Sequence, residues 1–222
     1  MLFRSLGGEF SMLSSFGSDE PHKDRLTAGL GRRFEIMSTS LKRHPSCGRS
    51  HAPIDALLEV LSRDRISPQD IESIEVEVAH SAAPTIDARP QLTHNIQYLM
   101  AVTAVAGTFG QAQLRPEWSG REDVRALAGR VTVSGTDAFE STFPGRKGGA
   151  VTVTTATARH RESLPGPHGD PNHPLTDDER HAKFASLAGT MRTASQVEWL
   201  WDILDELDRQ ESITALMSGL AG

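Results

Sequence analysis

Apolar residues recur along this chain with helical spacing in some segments and with strand spacing in others. Four large apolar side chains follow one another at i, i+3, i+4 and i+7, namely Ile54, Leu57, Leu58 and Leu61. This spacing marks one face of a helix, and Pro53 suits its first turn, so we predict a helix over 52–63. A second helix is predicted over 95–106, where apolar residues occupy almost every side. A helix of that kind is buried on several sides.

Alternation of apolar and polar residues predicts three strands. In the first, over 73–80, the two faces carry different side chains: Ile74, Val76 and Val78 on one, Glu75 and Glu77 on the other. His80 is in phase with the apolar face. Two more strands are predicted at 130–134 and 150–157, where Val alternates with Thr or Ser. We therefore expect an α+β fold in which a small, mostly antiparallel sheet is covered by the two helices.

The later part of the chain changes character. Residues 164–175 hold four Pro, two Gly and one Asn, a composition typical of a linker. Beyond them the pattern is helical, with capping-box pairs at Thr176 with Glu179 and at Ser195 with Glu198. We thus predict four parts: an N-terminal segment (1–39), an α/β domain (40–163), a linker (164–175) and C-terminal helices (176–222).

One face of the C-terminal helices carries a strong apolar stripe. Its members are Val197, Leu200, Trp201, Leu204 and Leu207. If the last four of these side chains stayed in water, the chain would lose on the order of 6–12 kcal/mol of burial free energy, which is comparable to the stability of a whole domain. We therefore expect a partner to cover the stripe, or an exposed apolar patch that promotes association.

Composition narrows the class of protein. The 222 residues include 23 Lys or Arg and 29 Asp or Glu, a net charge of −6 without a basic block, so we expect no nucleic-acid partner. No run approaches the roughly 20 apolar residues that span a membrane. The N-terminus lacks the apolar core of a secretory signal. The single cysteine, Cys47, excludes an internal disulfide framework and fits a reducing compartment. These features predict a soluble, cytoplasmic protein.

The densest polar cluster is the loop from Lys42 to His51, just before the first predicted helix. Unpaired N–H groups and the positive end of the helix dipole favour anions at such a place. Together with Lys42, Arg43, Arg49 and His51 they could form a carboxylate or phosphate pocket. The alternative is an exposed basic loop without a ligand.

For Cys47 and His80, the sequence allows either a functional role or a purely structural one. Cys47 could be a nucleophile activated by nearby positive charge, or an inert buried residue. His80 could lie in an active site at the end of its strand, or be a core histidine with its own partners. His44 and His51 are seven residues apart on a loop, and no metal-binding spacing of His, Cys or Glu occurs, so no metal site is expected.

A series of short motifs runs in order along most of the chain. Residues 42–56 contain Lys-x-x-Pro-x-Cys, then a His, then an Ile-Asp-Ala helix. Further motifs lie, in chain order, at 30–36, 68–76, 94–102, 143–145, 169–176 and 183–184. This series resembles the MmgE/PrpD family, which includes 2-methylcitrate dehydratase, cis-aconitate decarboxylase and iminodisuccinate epimerase.

The resemblance implies the C-terminal half of such an enzyme, since family members are longer and begin with a large helical domain. It implies that 40–163 is the α/β lid domain, that 1–39 is a remnant of the helical domain, and that the C-terminal helices rejoin that domain. It also implies site residues. Lys42 would be a substrate-carboxylate contact or acid–base group, His80 would face the cleft, and Cys47 and His51 would belong to the loop.

The implied function is a lyase of the 2-methylcitrate dehydratase type, in propionate catabolism, that acts on a small di- or tricarboxylate without metal or cofactor. Eliminating water beside a carboxylate needs cationic contacts, a base and an acid. Lys42, with Arg43 and Arg49, suits the first need, while His80 or His51 suits the others because imidazole titrates near neutral pH.

The same resemblance sets the expected partners and the alternatives. We expect a carboxylate substrate, a helical domain that supplies the remaining acid–base groups, and a second copy of the chain in a homodimer. One alternative is decarboxylation or epimerisation, which use similar carbanion-like intermediates. The other is a non-catalytic role, as a truncated remnant or as a subunit that completes a site with another chain.

Overall fold

The computed structural model of the protein describes residues 27–221. The chain divides into two compact units, Met1–Thr39 and Ser40–Gly222. In the first unit, the described residues form a turn over 27–32 and the 3-10 helix Glu35–Ser38. The earlier part of the predicted N-terminal segment lies outside the described residues.

The described residues of the second unit form nine α-helices and four strands. The helices are α1 (His51–Asp64), α2 (Ala83–Ile86), α3 (Ile96–Ala106), α4 (Pro116–Ser119), α5 (Glu122–Ala128), α6 (Asp137–Glu140), α7 (Asp177–Ala188), α8 (Ala194–Asp205) and α9 (Thr214–Ala221). The strands are β1 (Ile71–Ala79), β2 (Val131–Thr136), β3 (Gly149–Thr155) and β4 (Arg159–Leu164). The predicted helices over 52–63 and 95–106 are confirmed as α1 and α3. None of the nine helices is long and apolar enough to cross a membrane.

The four strands form a single mixed sheet in the order β2-β1-β3-β4. β1 is parallel to β2, while the pairs β1–β3 and β3–β4 are antiparallel. The α+β fold and the mostly antiparallel sheet are therefore confirmed. β1 and β2 can pair in parallel because α2 to α5 lie between them in the chain, and parallel strands need a long crossover.

The apolar pattern does not predict β4, because this strand lies at the edge of the sheet and is mainly polar. Its side chains alternate between exposed and half-buried positions. Two of its arginines form ion pairs with acidic residues of β1, Arg159 with Glu75 and Arg161 with Glu77. Charged side chains are common on edge strands, where they discourage pairing with another chain.

The core lies between the sheet and the two long helices. Ile74, Val76 and Val78 of β1 are buried in one cluster with Leu57 of α1 and Leu99 of α3. Most of α3 is buried, as its nearly continuous apolar sequence predicts. This packing fixes the start of α1 against the sheet, and the candidate functional residues surround that start.

The C-terminal helices begin with capping boxes. At α7 the hydroxyl of Thr176 accepts a hydrogen bond from the Glu179 N–H, which confirms the predicted pair. At α8 the prediction of Ser195 is wrong, since Thr193 caps the helix through the N–H of Gln196. Both positions offer a hydroxyl near the helix start, and the backbone places Thr193 at the cap.

The apolar stripe of these helices is only partly exposed. Val197 and Leu200 are buried, and the Trp201 ring packs 5.6 Å from the Phe184 ring of α7. Part of the stripe is therefore covered within the chain, since α8 packs on α7 and on α9. Leu204 and Leu207 remain exposed, and a partner that covers them stays a prediction. Exposed apolar side chains remain on these helices and their connections: Leu187, Met191, Trp199, Leu204, Leu207, Ile213, Met217 and Leu220.

Candidate functional site

The candidate site surrounds the loop 42–51, next to one edge of the sheet. The first residue of β3, Gly149, lies directly against Pro53 in the first turn of α1. Since β3 is antiparallel to β1, its start lies beside the end of β1. The basic loop, the beginning of α1 and this sheet edge are therefore neighbours.

A buried ion cluster supports the loop from inside. His44 Nε2 lies 2.9 Å from Asp55 Oδ1, and His44 Nδ1 lies 3.3 Å from the carbonyl oxygen of Phe109. Through these two contacts His44 connects the loop to α1 and to the segment that follows α3. Asp55 also accepts from Arg43 Nη1 at 3.1 Å and from the His168 N–H at 2.9 Å. Burial raises the pKa of Asp55, but hydrogen bonding and the charge of His44 outweigh it and hold that pKa below its usual value.

The segment predicted as a linker also contacts the loop. Besides the His168 bond to Asp55, the carbonyl oxygen of Gly169 accepts a hydrogen bond from the Leu41 N–H at 2.8 Å. Gly169 has a φ of +92°, and a Cβ there would lie 2.1 Å from the Leu41 carbonyl oxygen. Only glycine fits this close approach. Residues 168 and 169 thus hold the start of the loop in place.

His51, at the first position of α1, is buried beside this cluster. Its Nε2 donates to the carbonyl oxygen of Ser46 at 3.3 Å, and its ring centroid lies 5.4 Å from that of His44. Burial, and then the charge of His44, lower the pKa of His51 to about 4. At pH 7 only about one molecule in a thousand carries a proton there. His51 is therefore a neutral imidazole, suited to hydrogen bonding and unsuited to donating a proton at neutral pH.

Two lysines meet at the start of the loop. Lys42 Nζ donates to the same Ser46 carbonyl oxygen at 3.1 Å, which brings Lys42 and His51 together. Lys183 of α7 donates to the carbonyl oxygen of Lys42. Burial, and then the charge of Lys42, lower the pKa of Lys183. Within residues 27–221 neither lysine is paired with a carboxylate, so an anion bound here would relieve their repulsion.

The two arginines of the loop differ in what they contact. Arg43 is paired with two carboxylates, Asp55 and Glu179 of α7, so its charge is already balanced. Arg49 has no carboxylate partner among the described residues, and its Nε is buried without a hydrogen-bond partner. Of the two, Arg49 is therefore the one available to bind an anion.

Cys47 lies in the middle of the loop and is buried. Its backbone N–H donates to the carbonyl oxygen of Thr93 at 2.8 Å, and its carbonyl accepts from the Ser50 hydroxyl at 2.7 Å. In the described part of the chain, its thiol has no hydrogen-bond partner. The backbone of Cys47 thus shapes the loop, while its side chain joins the apolar core.

His80 follows the last residue of β1. The strand ends at Ala79, and Val78 and Ala79 are both buried, so the alternation stops before His80. The expectation that His80 continues the inward face is therefore wrong, since its side chain is 56% exposed. Its Nε2 lies 3.1 Å from Asp137 Oδ1. A Cβ at Gly135 of β2 would lie 2.5 Å from His80 Cα and Nδ1, so the small residue there makes room for the imidazole.

Most of this chain matches a known protein family. Residues 44–209 match the family model described as the MmgE/PrpD C-terminal domain. The chain belongs to the MmgE/PrpD family. The match begins at His44 and includes α1, the whole sheet and the helices α7 and α8.

Curated relatives of this MmgE/PrpD chain include fungal proteins. A cis-aconitate decarboxylase of Aspergillus terreus is 24% identical over 237 residues, which cover 98% of this chain and 48% of the relative. A cis-aconitate decarboxylase-like protein of Aspergillus oryzae is 24% identical over 238 residues, with 99% and 48% covered. The chain thus spans about half the length of the curated relatives it matches.

The sequence does not single out the most buried ionic pair of this MmgE/PrpD domain, His44 with Asp55. A signal for it exists, because Asp55 stands among apolar residues in the predicted helix, and a buried carboxylate needs a partner. The sequence also gives no sign that Lys183 belongs to the site, because 141 positions separate it from Lys42. Within the described residues, no group of three or more His, Cys, Asp or Glu side chains could hold a metal ion.

Proposed function

We propose that this chain forms the carboxylate-binding part of a cytoplasmic lyase of the 2-methylcitrate dehydratase type. Its substrate is a small di- or tricarboxylate, and side chains carry out the acid–base chemistry. The observation that carries the proposal is the pair Lys42 and Lys183, two neighbouring cations without a carboxylate partner among the described residues, beside the neutral ring of His51.

Charge supports this role for Lys42. The protein has a net charge of −6, so carboxylates are plentiful, and Arg43 of the same loop is paired with one of them, Asp55. Two neighbouring ammonium groups repel each other, and an anion bound between them would offset that repulsion. A substrate carboxylate is such an anion, and its charge-assisted hydrogen bonds to two ammonium groups would orient it.

His80 is the better of the two predicted acid–base groups. Its side chain is 56% exposed, and the contact of its Nε2 with the carboxylate of Asp137 orients the imidazole. In the dehydration, a base removes the proton from the carbon beside a carboxylate, the C–H electron pair forms the double bond, and the hydroxyl leaves as water after receiving a proton from an acid. His80 would serve as one of these two groups, and a group from the helical domain as the other.

The helical domain is the proposed partner because the chain spans about half of its relatives. Apolar side chains are exposed on α8 and just after its end, and they offer a surface for the helical domain: Trp199, Leu204 and Leu207. An exposed apolar surface of this kind marks an interface. The predicted homodimer would use other surfaces, and sedimentation analysis would detect it.

Decarboxylation is the second candidate, because the relatives named above carry the name cis-aconitate decarboxylase. Both reactions place a carbanion-like intermediate beside a carboxylate, so the same cationic contacts serve both. The products differ, since only decarboxylation releases CO₂.

The test is turnover by the purified chain, alone and mixed with the N-terminal half of a cis-aconitate decarboxylase relative as the helical domain. The substrates are 2-methylcitrate and cis-aconitate, followed by NMR of substrate and product and by CO₂ release. We expect activity in the mixture, lost in Lys42→Gln and retained in Arg115→Gln, an exposed control. Turnover unchanged by Lys42→Gln would contradict the proposed role of Lys42, and CO₂ release would favour decarboxylation.

A further inference from the structure

A second group of unpaired cations lies at the sheet edge, where β1 ends and β3 begins. We call Arg49, Arg146 and Lys147 the Arg49 cluster. The three side chains line one crevice with Phe139 and Phe143. Arg49 comes from the basic loop, and the others come from the turn that leads into β3, so two separate parts of the chain converge there.

The Arg49 side chain is held in place, but the hydrogen-bonding capacity of its guanidinium is not satisfied. Its guanidinium carbon lies 5.6 Å from the centroid of the Phe143 ring, a cation–π distance that fixes one face of the group. Its Nε is buried and has no hydrogen-bond partner within residues 27–221. Leaving a buried charged donor without an acceptor is costly, and nearly all such groups in folded proteins are satisfied. The missing acceptor is best supplied by an anion.

The acidic side chains nearby are committed to other partners. Asp137 binds His80, and Glu140 accepts from the backbone N–H and the hydroxyl of Ser81. Both precede the cluster on the same segment, yet neither pairs with Arg146 or Lys147. Across residues 27–221, no carboxylate forms an ion pair with any member of the cluster.

The crevice can open toward solvent. In this structure its own side chains fill the crevice, but Arg146 and Lys147 are exposed, and a change of their rotamers would make room for a carboxylate. The Lys147 side chain passes along Gly48, where a Cβ would lie 3.9 Å from Lys147 Cδ. Arg146 also lines a neighbouring cavity of about 260 Å³, which it shares with Asp170, a carboxylate that accepts from Ser40 and Asn172. The cluster thus extends from the basic loop toward open space.

We propose that the Arg49 cluster binds a second carboxylate of the substrate, one remote from the group held by Lys42 and Lys183. The inference rests on the proposed function, because it assigns the other end of the same loop to the same ligand. It makes the site selective for molecules with at least two carboxylates over monocarboxylates. Arg146 and Lys147 are then specificity-determining residues that touch substrate.

The test uses the full chain, labelled with ¹⁵N, and two probes, tricarballylate and butyrate. NMR follows the Nε–H signal of Arg49, assigned with Arg49→Lys, and the backbone amides of residues 42–51. We expect tricarballylate to shift the Arg49 signal and butyrate to leave it unchanged. The double variant Arg146→Gln/Lys147→Gln should bind tricarballylate at least tenfold more weakly and butyrate as before.

The matched control is Arg115→Gln/Arg125→Gln, which removes the same charge from two exposed arginines that form no ion pair with the residues the structure describes. Equal weakening by the control, or an Arg49 signal that stays fixed while tricarballylate saturates the chain, would overturn the inference. If the wild-type chain binds both probes equally at residues 42–51, the inference fails and the proposed function stands. If the wild-type chain binds neither tricarballylate nor butyrate, both the inference and the proposed function fail.

Discussion

Acidification should destabilise the fold through His51. The pKa of His51 is about 4 in the folded chain and 6.5 as its ordinary value, because burial and the neighbouring His44 disfavour the charged form. The unfolded chain therefore binds a proton at a higher pH than the folded chain. Stability from this group is complete above pH 6.5 and falls as the pH drops toward 4. At 1.36 kcal/mol per pKa unit, the full loss is about 3 kcal/mol.

The assay is urea denaturation of the wild-type chain and of His51→Gln at several pH values between 7 and 4.5. The Gln side chain can still donate to the Ser46 carbonyl, but it does not titrate. The free energy of unfolding of the wild type should fall relative to the variant by about 2–3 kcal/mol over this range. The lowered pKa of Asp55 affects stability only at lower pH, so it does not interfere. Parallel pH profiles for the two proteins would refute this account of His51.

Two further changes test the supports of the site and of the C-terminal helices. Asp55→Asn removes the buried carboxylate that contacts both His44 and Arg43, and it should lower the free energy of unfolding by about 3–5 kcal/mol. Glu75→Gln, at an exposed ion pair, should cost less than about 1 kcal/mol in the same urea titration. Thr193→Ala removes the cap of α8 and should lower the free energy of unfolding by about 1 kcal/mol. Ser195→Ala should lower the melting temperature far less than Thr193→Ala does. The reverse order would contradict the assignment of Thr193 as the cap.

The sequence predicts the elements whose stability comes from regular apolar spacing. α1, α3, β1 and β3 show the helical or alternating pattern, and the structure contains all four. β4 lacks the pattern because polar side chains cover an edge strand. The parallel pairing of β1 with β2 depends on the path of the intervening helices, which local spacing does not encode.

The candidate site is predictable only in part. The basic loop before α1 is visible in the sequence, and it contains Lys42, Arg49 and His51. Which of its cations are already paired cannot be read from the sequence, since the partners of Arg43 lie 12 and 136 positions away. The exposure of His80 is also a tertiary effect, because it depends on where β1 ends and how closely β2 passes.

The most direct test of the central claim is whether the loop 42–51 binds a carboxylate through Lys42. Backbone amide signals of these residues are followed by NMR while tricarballylate is added to the wild-type chain and to Lys42→Gln. We expect saturable shifts at residues 42–51 in the wild type and at least tenfold weaker binding in the variant. Equal binding by both proteins, or shifts confined to other parts of the chain, would contradict it.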